Sequence, residues 1–126
     1  MRGESHFGTV VDYLTELAQQ LYERRHQAEL VPFRDCSGPD FSPLEQACHS
    51  NVDHWCTCHP NHQPVRGWLL HESWLPQGFC RFAAHSVVQD EHGELFDLTP
   101  PRAVRKYPFL RHPLTDEEFV PHRLLP

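Results

Sequence analysis

The chain has no isoleucine, one methionine and one lysine, Lys106, among its 126 residues. Arginine supplies the other ten of its 11 basic residues. This is the mark of GC-rich coding, so arginine in place of lysine carries no functional weight. A basic stripe is also missing. The densest basic stretch, Arg102, Arg105, Lys106 and Arg111, is followed by the acidic trio Asp116, Glu117 and Glu118, and the formal net charge is −6. A nucleic-acid partner, which needs a basic face, is therefore not expected. No apolar run approaches the roughly 20 residues of a membrane-crossing helix. Residues 1–20 hold no run of the roughly 7–15 apolar residues of an export signal. Five cysteines, an odd number, then predict reduced thiols in a cytoplasmic protein rather than a disulfide framework.

Proline and histidine are plentiful, at 12 and 11 residues. The length suits one domain with one core. The prolines fall mainly in 32–64 and 100–126, which predicts stiff connections and an extended arm over 101–126 along the outside. Residues 9–26 read as an amphipathic packing helix, with Val10, Val11, Leu14, Leu17, Ala18, Leu21 and Tyr22 on one face and Arg24, Arg25 and His26 at its negative end. Residues 27–43 are a connection. Ser42-Pro43-Leu44-Glu45 reads as a helix start, with Ser42 as cap and Pro43 in the first turn. That helix runs to about Trp55 and places Leu44, Ala47, Cys48, Val52 and Trp55 on one side. Strands follow at 65–71, 79–89 and 94–99. Leu114 to Phe119 suggests a short helical turn capped by Thr115. The expected fold is α+β: an N-terminal helix and a Cys48-bearing helix packed on a small antiparallel sheet.

A hydrolytic thiol needs a thiolate, an imidazole and a group that holds the imidazole. Cys48, His85 and Asp97 offer these in order. Asp90-Glu91-His92-Gly93 tests the last two. If residues 91–93 form a three-residue loop with Gly93 at the bulge, Asp90 faces Glu94 and Val87 faces Asp97. His85 and Asp97 then become diagonal neighbours on one face, about 7–8 Å apart at the backbone. A loop one residue longer or shorter would split them across the two faces.

Cys48, the strand Val65-Arg66-Gly67-Trp68, then His85-Ser86-Val87-Val88 and Gly93-Glu94-Leu95-Phe96-Asp97-Leu98-Thr99-Pro100 resemble the core of the transglutaminase-like proteins, relatives of the papain-like cysteine peptidases. The resemblance covers residues 44–100. It implies a Cys-bearing helix on an antiparallel sheet, with Cys48 as nucleophile, His85 as base and Asp97 as orienter. Two departures stand out. His49-Ser50-Asn51-Val52 follows the cysteine in place of the usual small or aromatic residues, and the Ser42 cap sets Cys48 more than a turn inside its helix unless that helix breaks at Gln46-Ala47.

Around this constellation, Gln46 is a candidate oxyanion donor, Asn51 a candidate substrate-binding amide, and Trp55 and Trp74 candidate cleft walls. Trp68 reads as core. His54, Cys56, Cys58, His59 and His62 form a second cluster of zinc-type ligands, at a spacing too cramped for a finger or ribbon. Cys48, His49 and His85 around a metal is a further arrangement. It is disfavoured because adjacent helix positions face apart. The leading expectation is a cofactor-free cysteine hydrolase or acyltransferase acting on an amide, ester or thioester of a small molecule or peptide. A zinc-binding module on 54–62 and a catalytically silent binding domain are the alternatives.

Overall fold

The computed structural model describes residues 6–72, 80–101, 107–114 and 119. The fold is α+β. Helix α1 (His6–Glu23) is followed by a 3-10 turn (Arg25–Gln27), helix α2 (Cys48–Cys58) and strands β1 (Gln63–Glu72), β2 (Cys80–Gln89), β3 (Leu95–Phe96) and β4 (Phe109–Arg111). The strands form one antiparallel sheet in the order β3-β2-β1-β4. Among the described residues, no helix is long and apolar enough to cross a membrane.

Both helices meet the same face of the sheet. Trp68 and Leu110 join Leu17 and Leu21 of α1 and Phe119 in one buried cluster, flanked by Phe82 and Ala84. Val88 and Phe96 join Val52 of α2 and Leu98 in a second. The register pairs Trp68 with Ala84, and alternation puts Phe82, Ala84 and Val88 together on that face. The apolar stripe of α1 is narrower than its sequence suggests: Leu17 and Leu21 are buried, while Ala18 and Tyr22 are exposed. Its end is as expected for a basic terminus, with Arg25 donating to the Tyr22 carbonyl at 2.7 Å.

Three features differ from the sequence reading. The C-terminal segment is not all an outer arm. Residues 109–111 add a fourth strand to the free edge of β1, where Leu70 donates to the Pro108 carbonyl at 2.9 Å and His112 to that of Arg66 at 2.9 Å. Proline is tolerated here because Pro108 only has to accept. The 27–43 connection does more than link two helices. Glu29 exchanges backbone bonds with Phe109, and Pro32 and Arg34 bond to the backbone of Asp97. One short segment thus ties the β4 edge to the chain just after β3, across a curled sheet.

The third difference concerns α2. It starts at Cys48, with Ala47 as its N-cap, and not at Ser42-Pro43. Gln46 adopts a left-handed backbone, φ 62°, which a continuous helix cannot accommodate. The cause is Asn51. Its side chain accepts from the Leu44 amide at 3.1 Å and donates to the Leu44 carbonyl at 2.8 Å, so Leu44 finds its partners outside a helix. The expected turn at 114–119 and Trp74 fall largely or wholly outside the described residues.

Candidate active site

The hairpin between β2 and β3 has the bulged geometry that the register argument requires. Gly93 takes φ +83° and donates to the Asp90 carbonyl at 3.0 Å. Asp90 donates to the Glu94 carbonyl at 2.9 Å, and its carboxylate accepts from the His92 and Glu94 amides. Val88 pairs with Phe96 and Gln89 with Leu95, which sets Val87 opposite Asp97. His85 and Asp97 therefore share a face. His85 Nε2 lies 2.6 Å from Asp97 Oδ2. The other carboxylate oxygen accepts from the Thr99 amide at 3.0 Å, and the Asp97 backbone is tied to Pro32 and Arg34. The carboxylate is thus fixed from both sides before it touches the imidazole.

Cys48 occupies the first helical position of α2. Amides of a helix's first turn have no acceptor within the helix, and no side chain caps these. Their partial positive charge favours a thiolate. The Cys48 thiol hydrogen-bonds to both His85 and His49. Since Asp97 uses Nε2 of His85, the nitrogen left for the thiol is Nδ1. Burial pushes the Cys48 thiol up, but the hydrogen bonds from the two histidines and their electrostatic pull bring it down to about 6. Burial pushes His85 down, while its bonds to Asp97 and Cys48 and their negative charge carry it up to about 9. Both shifts favour a thiolate–imidazolium pair at neutral pH.

Other thiols differ. Burial raises Cys36, with Arg34 partly offsetting it, and burial and Asp53 together raise Cys56.

The first turn of α2 also reaches the opposite face of β2. His85 and Ser86 are consecutive, so they point to opposite faces. His49 Nδ1 lies 2.6 Å from Ser86 Oγ. Arg66 donates to the same oxygen at 3.0 Å and to Asp53 Oδ1 at 2.6 Å. β3 pairs with β2 only at Val88 and Gln89. Among the described residues, no strand covers the β2 edge at 85–86, which leaves both side chains within reach of one helix terminus.

Of the candidate substrate contacts, Gln46 is exposed two residues before the thiol, on the strained turn that leads into α2. Asn51 is buried and makes three internal hydrogen bonds, the third to Thr99 Oγ1 at 3.0 Å. It is a strut between the 44–46 turn and the segment after Asp97. Trp55 lies seven residues along the helix, about 10 Å from the thiol by helical rise. Its ring stacks on His59 at 3.7 Å, and its Nε1 donates to His62 at 3.0 Å. It packs against the second core cluster beside Phe41. Trp68 is buried, as expected.

His54 stacks on Phe41, and His62 Nε2 faces Glu91 at 3.4 Å. The histidines of 54–62 are thus engaged with aromatic and acidic neighbours. Among the described residues, no three His, Cys, Asp or Glu side chains are grouped to hold a metal ion.

Sequence reasoning missed the roles of Ser86, Arg66 and Asp53. The available signal was Ser86 itself, a polar residue inside the apolar run 82–88 that is fully buried in the fold.

Compared with protein-family models, curated proteins and solved structures, the chain matches none. What the site can do chemically therefore follows from its own geometry.

Proposed function

We propose that this protein is a cysteine-dependent hydrolase or acyltransferase acting on an amide, ester or thioester. The observation that carries this reading is the contact order Cys48–His85–Asp97, with His85 held by Asp97 at 2.6 Å and its other nitrogen turned to a thiol at a helix start. The resemblance to transglutaminase-like proteins assigns the same three roles.

In this mechanism the Cys48 thiolate attacks the carbonyl carbon and forms the C–S bond. The carbonyl electrons move onto oxygen, and the oxyanion is stabilised by first-turn amides of α2 and the Gln46 side chain. As the intermediate collapses, His85 gives its Nδ1 proton to the leaving amine, alcohol or thiol, leaving an acyl-thioester on Cys48. His85, now neutral, takes a proton from water or from an acceptor amine as that nucleophile attacks the thioester. Collapse expels the thiolate and restores the ion pair. Asp97 stays ionised and keeps the Nε2–H tautomer in place.

The test is to trap the acyl-enzyme. The protein is mixed with activated esters and thioesters of small acids and peptides, quenched in acid and examined by intact mass and peptide mapping. The expected result is one acyl group, on Cys48, absent from Cys48→Ala and strongly reduced in His85→Ala. Acylation spread over several cysteines, or unchanged in His85→Ala, would refute the reading.

A further inference from the structure

His49 has no place in a three-residue relay, yet it touches the same thiol and is held more elaborately than a surface histidine needs. Ser86 Oγ, 2.6 Å from His49 Nδ1, belongs to a residue with 0% exposure. That oxygen already accepts from Arg66, which has donors only. A buried hydroxyl proton needs an acceptor, and the partner in line for it is His49 Nδ1. Ser86 therefore donates to Nδ1, and the imidazole proton sits on Nε2. Arg66 is anchored in turn by Asp53 at 2.6 Å, one turn along the same helix. Phe119 packs edge-on against the His49 ring at 5.6 Å. The relay Asp53–Arg66–Ser86–His49 thus starts and ends on α2 and passes through β1 and β2.

We infer that His49 is a second activating imidazole: a tautomer-locked donor, held at Nδ1 by Ser86, whose Nε2–H holds the Cys48 thiolate. The inference rests on the proposed role of Cys48 and deepens it. His85 must give up its proton in every turnover. His49 does not, because Ser86, itself held by Arg66, fixes its ring and leaves Nε2–H for the thiolate. The thiolate that returns when the acyl group leaves is therefore solvated by the protein while His85 is changing charge. The polar and charged groups around the pair are His85 from β2 at the thiol, with Asp97 behind it, and, on the His49 side, Ser86 from β2, Arg66 from β1 and Asp53 on α2.

Two measurements test it. In the first, the rate of Cys48 alkylation by iodoacetamide is followed against pH. His49→Phe keeps the ring packing and removes the donor. It is expected to raise the midpoint by about one to two pH units, the weight of one hydrogen bond to an ionised group. His49→Gln, which still offers an N–H, is expected to recover part of that shift. An unchanged midpoint in a folded His49→Phe protein overturns the inference and leaves the role of Cys48 standing. An ordinary thiol midpoint in the unmodified protein overturns both. The second measurement is imidazole nitrogen NMR on the unmodified protein, which needs no variant. His49 is expected as the Nε2–H tautomer, and a proton found on Nδ1 overturns the inference.

Discussion

His85 and Asp97 are twelve residues apart in sequence and 2.6 Å apart in space, Nε2 to Oδ2, on one face of the β2–β3 hairpin. The contact depends on Gly93 at φ +83°, which sets the register, and on the backbone bonds of Asp97 to Pro32 and Arg34. The carboxylate is thus a fixed partner, and its hydrogen bond and charge, together with those of Cys48, keep His85 protonated.

Asp97→Asn keeps the shape and removes that charge. His85 then loses its proton at lower pH, and less of Cys48 is thiolate near neutrality. Thioester turnover is expected to fall by ~10²-fold or more, the usual weight of a positioned acid–base group. The thermal melting point near neutral pH should fall as well, because the bond and charge that raise His85 also stabilise the fold. An enzyme with full activity in this variant would remove Asp97 from the site.

Reactivity and stability should respond differently to pH. Cys48 is more acidic folded, at about 6 against 9.0, so its stabilising contribution is full above 9.0 and lost as pH falls through 6. His85 binds its proton more tightly folded, at about 9 against 6.5, so its contribution is full below 6.5 and lost as pH rises through 9. Between about 6.5 and 9 the two slopes oppose each other and cancel. Urea titrations across that window should therefore show no net trend from this pair. Cys48 alkylation should rise through about 6 and then stay level, while turnover, which also needs the His85 proton, should fall again above about 9.

Asn51→Ala should destabilise the fold by about 2–4 kcal/mol, because it removes three hydrogen bonds of a buried amide and takes a partner from the buried Thr99 hydroxyl. The lost bonds hold Leu44 and Thr99, so the turn that starts α2 at Cys48 should loosen with them. Chemical denaturation measures the first effect. Slower Cys48 alkylation in the folded variant reports the second.

Gly67→Ala tests the wall behind His85. A methyl group at Gly67 would collide with the Phe109 ring and the Leu110 carbonyl, and Phe109 packs edge-on against His85 at 6.3 Å. Overpacking of this kind costs about 1–3 kcal/mol. Faster amide exchange at Phe109–Arg111, together with lower Cys48 reactivity, is the expected result.

The parts of the site that were legible in the sequence are those decided locally. The Asp90–Gly93 turn contains its own register signal, so the facing of His85 and Asp97 followed from it. The start of α2 was not legible, because the Ser42-Pro43-Leu44-Glu45 box is overridden by Asn51, and the reach of Asn51 to Thr99 exists only after the chain has folded. β4 was hidden for a similar reason: three residues after Pro108 have no strand pattern of their own until the β1 edge offers one. His49 was set aside because adjacent helix positions face apart. In the fold they do, and the uncovered β2 edge lets Cys48 take His85 while His49 takes Ser86.

Competitive labelling of all five thiols at neutral pH tests the central claim most directly. A limiting amount of iodoacetamide is added to the native protein, and each cysteine is quantified by mass spectrometry. Cys48, only partly accessible, should be modified at least about tenfold faster than the exposed Cys58, because the thiolate is the reacting species. That lead should disappear in His85→Ala together with His49→Phe. Labelling of Cys58 equal to or ahead of Cys48 in the native protein would contradict the account.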